Sequence, residues 1–372
     1  MAYNPLSSML GAEGDKIARR AWLVVKYTEK GSKESKDISE DLAKYLLSCS
    51  YTDNIGGQAD DVTLSLEDRA GLWSDAWFPS TGAMLDITLH TYNWTSLIEG
   101  EKTLPIGKFQ IDEIEVQGSP SVVQIKATSV LQDTPLRGMK KNRTWEKISI
   151  WKCANDICWE NDIGLYWDCD ENPNLDHVEQ SDESDLAFLE KITKDAGFSL
   201  KIDPDKIIIF DETKLEKGEP TLAVIRPGTL PDAGQIPVIV NQLTGWSFRA
   251  KTRDVYWKCH VKYQKAKDKK VIETTYTDPN KKSGQILEIS EQVEDVAEAE
   301  RLAKKKLREK NKEEVSGSFS TYGNVNLVAG VIVKLVGFGV FDDGKYLVTK
   351  ATHNIGGDFS TSVELRRCLN GY

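Results

Sequence analysis

Cysteine is scarce, with six residues in a chain of 372, and that excludes a disulfide framework and points to synthesis in a reducing cytoplasm. Long apolar runs are missing as well. Residues 1–20 hold no apolar stretch of the kind that marks a chain for export. The most membrane-like run, residues 325–341, is interrupted by Asn326, Gly330, Lys334, Gly337 and Gly339 and reads better as alternating strand than as a spanning helix. Positive charge is in deficit: 48 Lys and Arg stand against 58 Asp and Glu, a net charge of -10. A general nucleic-acid binder normally presents a basic domain, whereas this balance suits a soluble particle component. No P-loop, His-Glu-x-x-His or nucleophile-elbow serine occurs. Gly337-Phe338-Gly339 has no third glycine of a dinucleotide loop, so it reads as a tight turn.

What the chain does have is alternation. With 40% hydrophobic and 28% charged residues it can bury sizeable cores, and its length allows two to four domains. The last fifty residues carry the clearest pattern. Val331, Val333 and Leu335, then Tyr346 and Val348, then Val363 and Leu365 recur at every second position, so each run can turn one face to a core. Glycines at 337, 339 and 344, and again at 356 and 357, separate three strands joined by two turns.

The same plan occurs much earlier. Leu85, Ile87 and Leu89 alternate after Gly82, and Gly107-Lys108-Phe109-Gln110-Ile111 matches Gly344-Lys345-Tyr346-Leu347-Val348 in residue type. A turn at Gly118-Ser119-Pro120 and a strand at Val123 to Ala127 follow, and the spacing from Gly107 to Gly118 matches that from Gly344 to Gly356 to within one residue. One small β-domain therefore occurs twice, with other material between the copies.

The fold class expected is α+β and β-rich, with two tube-type, barrel-like β-domains flanking a mixed α+β middle domain. Residues 1–20 read as a flexible arm. Residues 21–130 form the first β-domain, with a strand from Ala21 to Tyr27 and a helix following the capping pattern of Asp37 and Glu40, with Leu42, Leu46 and Cys49 on one face. Trp73 and Trp77 are placed to cap a barrel end. Residues 131–242 form the middle domain. Helices are expected at Trp145 to Trp159 and at Asp182 to Ala196, the second with acids at its positive end and Gly197 to stop it. A strand pair follows through Asp203-Pro204-Asp205. Residues 243–372 form the second β-domain. Its inserted features are a strand with Trp257, Cys259, Val261 and Tyr263 on one face, a charged hairpin tip at 265–270, and a surface helix from Asp295 to Lys312.

Candidate chemistry is thin. Cys153, Cys158, Cys169 and His177 are the one cluster with a ligand-like inventory, but their spacing fits no standard zinc pattern and they read as buried free thiols. His90, His260 and His353 fall on strands and read as structural. Asp60-Asp61, and Asp168 with Asp170, could be drawn as an acid/base pair, and solvated turns account for them better. The basic run Lys304 to Arg308 reads as a surface face. No catalytic, cofactor or metal residue is assigned.

Three stretches resemble the late control D family of phage tail proteins, the baseplate hub of contractile tails. They are Ser50-Tyr51-Thr52-Asp53 with Ala59 to Arg69, Trp73, Trp77 and Pro79; Gln180 to Leu189 with Gly197; and Asp343 to Val348 with His353. The family is also similar to the base of the type VI secretion spike protein VgrG. The resemblance implies a non-enzymatic homotrimer in which two tube-type domains per subunit make a pseudo-sixfold ring. A hexameric tail tube stacks on one face of such a ring and a trimeric central spike docks on the other, with baseplate wedge and tape-measure proteins as further partners. It also implies a place in the baseplate of a virion tail or tail-like particle, with no membrane and no sequence-specific nucleic acid as partner. No spike repeat follows within the sequence, so the spike is expected as a separate polypeptide. The loop from His90 to Pro105 is longer than its counterpart from Gly337 to Asp343 and is expected to make a contact of its own. The rival readings are a tail-associated cell-wall-degrading enzyme and a cell-wall-binding protein.

Overall fold

The computed structural model describes residues 19–129, 135–229, 238–264, 271–293 and 295–372. Nearly all of the expected arm, and the charged tip at 265–270, lie outside the described residues. The first strands are β1 (Arg20–Thr28), β2 (Ser35–Asp37), β3 (Leu46–Asn54), β4 (Asp61–Glu67), β5 (Met84–Tyr92), β6 (Glu101–Gln117) and β7 (Val122–Thr128), with helix α1 (Ser39–Tyr45) between β2 and β3. The middle segment contains α2 (Pro135–Gly138), β8 (Lys140–Ser149), α3 (Ile150–Glu160), β9 (Gly164–Asp168), β10 (Asn174–Ser184), α4 (Asp185–Ala196), β11 (Ser199–Asp203), β12 (Lys206–Phe210) and α5 (Glu212–Lys217). The remainder is β13 (Leu222–Ile225), β14 (Val238–Val240), β15 (Leu243–Ala250), β16 (Tyr256–Gln264), β17 (Val271–Thr277), β18 (Gln285–Ile289), α6 (Val296–Asn311), β19 (Val315–Tyr322), β20 (Ile332–Val336), β21 (Tyr346–Gly356) and β22 (Asp358–Arg367).

The fold is β-rich, and the strand runs anticipated from alternation are strands. Fourteen of them join in one sheet, with no closed barrel among the described residues. Within this sheet six early strands lie in the order β1-β5-β6-β7-β4-β3, and six late strands in the order β13-β20-β21-β22-β19-β15. The duplication extends to single hydrogen bonds. Gly82 N donates to Ile111 O and Ile111 N to Ala83 O, each at 2.8 Å, while Gly330 N donates to Val348 O and Val348 N to Val331 O, each at 2.9 Å. Gly82 and Gly330 both hold positive φ, 85° and 88°, a conformation that costs a side chain with a Cβ. A β-bulge interrupts β6 between Ile111 and Glu113, and its counterpart interrupts β21 between Val348 and Lys350. A second pair falls between Leu46 and Ser48 in β3 and between Leu243 and Gly245 in β15. Bulges set twist and register locally, so the two copies share their irregularities as well as their order.

Separate apolar clusters lie under these strands. Val25, Val62, Leu64, Ile87, Phe109 and Ile125 belong to the early one, with Trp73 buried against it. Trp77 is more exposed and meets Trp73 edge to face, so this pair closes one end of the core. The late cluster includes Val333, Leu335, Tyr346, Val348, Val363 and Leu365. A third gathers α3, α4, β11 and β12, and a fourth lies between α6 and the three-stranded sheet β17-β16-β18.

Several local expectations need correction. Helix α1 ends at Tyr45, and Leu46 and Cys49 belong to β3; a spacing of three to four residues is shared by one turn of helix and the strand that follows it. Residues 145–149 are strand, not helix: Trp145 lies opposite Val178 across the β8-β10 ladder and stacks on Phe188 with ring centroids 5.1 Å apart. The helix begins only after Ser149, whose hydroxyl accepts from Lys152 N. Asp182 and Glu183 close β10, and helix α4 starts after Ser184, ending at Gly197 with φ 89°. Helix α6 is more deeply seated than a surface helix, because Ala299, Ala303 and Leu307 form an i, i+4, i+8 stripe with no exposure. Strands β5 and β6 run to Tyr92 and from Glu101, so the connection spans only 93–100 and is no longer than its counterpart at 337–345.

Candidate assembly site

The two strand sets meet where β3 pairs antiparallel with β21, from Lys350 opposite Asn54 to Gly356 opposite Ser48. At the centre of this junction the rings of Tyr51 and His353 stack at 5.9 Å, 12° from parallel. His353 is fully buried. Its Nε2 lies 3.0 Å from the Leu327 carbonyl and its Nδ1 3.1 Å from the Thr361 hydroxyl, so the neutral tautomer with Nε2–H donating satisfies both contacts. Burial depresses its pKa to about 4.

Asp53, beside this stack on β3, ties three parts of the chain together. Its carboxylate accepts from Lys201 Nζ of β11 at 2.6 Å and from Ala329 N, in the turn before β20, at 2.8 Å. Lys201 also reaches Asp60 at 2.9 Å and donates to Asn54 O. Burial pushes the Asp60 carboxyl up to about 6 despite the Lys201 charge beside it.

A second joint is built around two largely buried carboxylates. Glu216 of α5 accepts from both terminal nitrogens of Arg308 at 3.1 and 2.7 Å, from Arg366 of β22 at 2.5 Å and from Leu369 N at 3.0 Å. Glu212, one turn earlier, accepts from Arg366, Ser199 and Lys312. Glu216, Arg308 and Arg366 are each less than a tenth exposed. The cationic partners hold both carboxyls below their usual range although burial alone would raise them. This joint locks α5, α6, β11 and β22 into one geometry.

The residues singled out from sequence fall as follows. Cys153 and Cys158 are buried on α3, Cys169 is half-buried beyond β9, and His177 is exposed on β10. Burial pushes the three thiols up to about 12, 11 and 12, which keeps them protonated. No group of three or more metal-type side chains is gathered among the described residues. His90 pairs with Glu101 at 2.8 Å and stacks on Trp22, and His260 lies between Glu288 and Glu273 at 2.8 and 2.9 Å. The Glu288 hydrogen bond, with Glu273 adding to it, raises the His260 pKa. These carboxylate partners stand on neighbouring strands, 11 to 28 residues away in sequence, so no local pattern marks them. Asp60 is not a solvated turn residue, since it is buried on Lys201, while Asp168 and Asp170 share Lys214 near the surface. Arg308 likewise leaves the expected surface face, because its guanidinium is the buried partner of Glu216. Gly337 N and Phe338 N both donate to the Asp342 carboxylate at 3.0 and 2.7 Å, which makes that stretch a tight turn.

Two equivalent hairpin tips carry exposed aliphatic side chains. Leu97 and Ile98 project from the β5-β6 connection at 65% and 94% exposure, and Val340 from the β20-β21 connection at 80%. The first tip is internally braced, with Thr95 N and its hydroxyl donating to Glu99 and Gly100 N to Asn93 Oδ1. The first tip thus holds its exposed aliphatic side chains on a hydrogen-bonded turn.

Comparison with known proteins gives a consistent result. A family profile described as phage tail baseplate hub (GPD) matches residues 141–358. A probable baseplate hub protein of Escherichia phage 186 is 24% identical over 375 residues, covering 89% of this chain and 90% of that protein. The tail protein from Neisseria meningitidis MC58 is similar in structure, with TM-score 0.66, 12% identity, and 93% and 97% of the two chains covered. The E. coli c3393 protein, a component of the type VI secretion system, is similar at TM-score 0.53 and 13% identity, over 88% of this chain and 75% of that one.

Proposed function

Because this chain belongs to the phage tail baseplate hub (GPD) family, a family of virion tail components, we propose that it is a structural, non-enzymatic hub that assembles as a homotrimeric ring. One observation carries this reading: the chain contains the same six-strand order twice, down to matching bulges and matching hydrogen bonds at Gly82 and Gly330. Three copies then present six near-equivalent units on one side and threefold symmetry on the other. That is the symmetry match needed between a hexameric tail tube and a trimeric central spike.

The division of the chain follows. Residues 1–20 act as an arm, 21–130 and 243–372 as the two tube-type β-domains, and 131–242 as the middle domain, whose last strands β13 and β14 cross into the late strand set and its apolar cluster. The buried joints at Asp53 and Glu216 fix the three relative to one another. The exposed tips at Leu97-Ile98 and Val340 stand at equivalent positions of the two units, as a six-part tube ring requires. The hub is made in the host cytoplasm and joins wedge and tape-measure proteins in the finished baseplate.

Light scattering on the purified chain over a range of concentrations, alone and with the spike protein of the same particle, tests the proposal. The expected mass is three times that of the chain, alone or in the mixture. Monomers in both samples would overturn the ring.

A further inference from the structure

Among the open strand edges of the described residues, two belong to the duplicated strand sets and have counterparts within the chain. β6 pairs with β5 only as far as Gln110, so its edge from Asp112 to Gln117 on that side has no partner strand. β15 pairs with β19 alone, leaving its other edge free. Neither edge is blunted by proline, and both expose apolar side chains, Val116 at 53% and Trp246 at 44%. Open edges of this kind are templates for strand addition and are normally covered.

The chain itself shows what covers the counterpart of one of them. The equivalent of the open β6 edge in the late strand set is the edge of β21 from Lys350 to Gly356, and there it is covered by β3. The equivalent of β3 in the late set is β15, which has nothing to cover. The matching bulges fix these equivalences residue by residue: Ile111 with Val348 and Glu113 with Lys350, then Ser48 with Gly245 and Tyr51 with Phe248.

We propose that β15 of one copy pairs antiparallel with the open β6 edge of a second copy, repeating between chains the β3-β21 junction found within the chain. The proposal rests on the ring reading above and deepens it. Transferring the internal register, in which Lys350 faces Asn54 and His353 faces Tyr51, puts Glu113 opposite Lys251, Ile114 opposite Ala250, Glu115 opposite Arg249 and Val116 opposite Phe248.

The transferred register was fixed by backbone geometry alone, yet its side chains match on both faces. On one face two acids meet two bases directly across the ladder. On the other, Ile114 and Val116 meet Ala250 and Phe248. Cross-strand pairs of opposite charge stabilise a ladder and like charges destabilise it, so a shift by one residue would place charge against apolar side chains and lose both matches. The present partners of these groups do not compete strongly. Glu113 pairs with Lys126 at 3.2 Å and Lys251 with Glu313 at 2.9 Å, both near the surface, and Arg249 Nε donates to Ser316 Oγ. The contact is head to tail, so it builds a ring if its rotation closes and a filament if it does not. When the step between chains equals the step within the chain, three copies supply all six junctions.

Charge reversal tests the register. Light scattering with the full chain, alone and with the spike protein, is run on E113K/E115R, on R249E/K251E and on the fourfold combination, with a thermal melt of each. The expected result is loss of at least tenfold in apparent assembly affinity for each pair alone, recovery in the combination, and melting temperatures of the separated chains close to that of the unchanged protein. As a check that does not depend on charge, E115C/R249C should give oxidised species at two and three times the chain mass, and E115C/S247C should not. If the unchanged chain assembles and both single reversals assemble equally well, the edge pairing is wrong while the ring stands. If the unchanged chain stays monomeric in both samples, the ring reading fails and takes this pairing with it.

Discussion

Glu216 is held by two guanidinium groups at a site less than a twentieth exposed, and what stabilises it there is partnership rather than charge. A buried ion pair is not worth much against an apolar replacement, but removing one member strands the other. Glu216→Ala should therefore cost about 3–5 kcal/mol, since it leaves Arg308 and Arg366 short of a counter-charge in the interior. Urea denaturation of the isolated chain reads this directly, and a loss below about 1 kcal/mol would show that water reaches the site and screens it. His353 makes a different prediction. Its folded pKa of about 4 lies below the unfolded value near 6.5, so the unfolded chain binds the proton more readily. The contribution of His353 to stability is full above pH 6.5, falls as the pH drops through the window, and levels off below 4, a total of about 3 kcal/mol. In His353→Gln the decline between pH 6.5 and 4 should be visibly shallower; an unchanged slope in thermal melts would place the acid sensitivity elsewhere. The sequence marked His353 as structural, but not its reason, because Tyr51 and Leu327 approach it only after two distant strands pair.

At the scale of elements, the duplication makes paired predictions. Gly82 and Gly330 hold the same positive φ and make the same two hydrogen bonds, and a Cβ at Gly330 would meet only Leu215 at an ordinary 3.8 Å. The cost of alanine there is thus one of backbone conformation. Gly82→Ala and Gly330→Ala should each lose about 1–2 kcal/mol, and denaturation curves showing one much larger than the other would mean that the two turns are not true equivalents. The tip from Asn93 to Gly100 tests function instead. Leu97→Ser with Ile98→Ser removes exposed apolar surface, so the melting temperature should hold while co-sedimentation with tail tube weakens several-fold. Unchanged tube binding would assign the tip to another neighbour. The strands of these elements were legible because period-two alternation survives in each of them, and the glycine-lysine-aromatic match between β6 and β21 was real. The connection between β5 and β6 is shorter than alternation indicates, because alternation fades at its ends, where His90 and Thr103 still pair across the ladder. Trp145 lies on a strand although its spacing suits a helix, because apolar residues three apart suit either a helix or a strand running into one.

For the whole molecule, the proposed ring is what would turn duplication into symmetry and open edges into assembly. The edge of β6 and the edge of β15 are complementary in register, in charge and in apolar pattern, although they lie on different strand sets of one chain. Raising the salt concentration should weaken ring formation through the paired acids and bases of the proposed junction, and light scattering between 0.05 and about 0.5 M salt measures it. Insensitivity to salt would shift the weight of the contact to Val116, Phe248 and Trp246.

The sequence by itself determined the strands that alternate cleanly, that three of them recur as a set, and that no familiar catalytic motif is carried. These depend on local period and on glycine positions, which survive reading one residue after another. Only the tertiary structure decided that the two sets share one open sheet, that Asp60, Arg308 and His353 are buried, and which edges are left without a partner. Each of those depends on contacts between residues dozens to hundreds of positions apart, such as Asp53 with Ala329 and Glu216 with Arg366, and no local pattern encodes which distant residue will arrive.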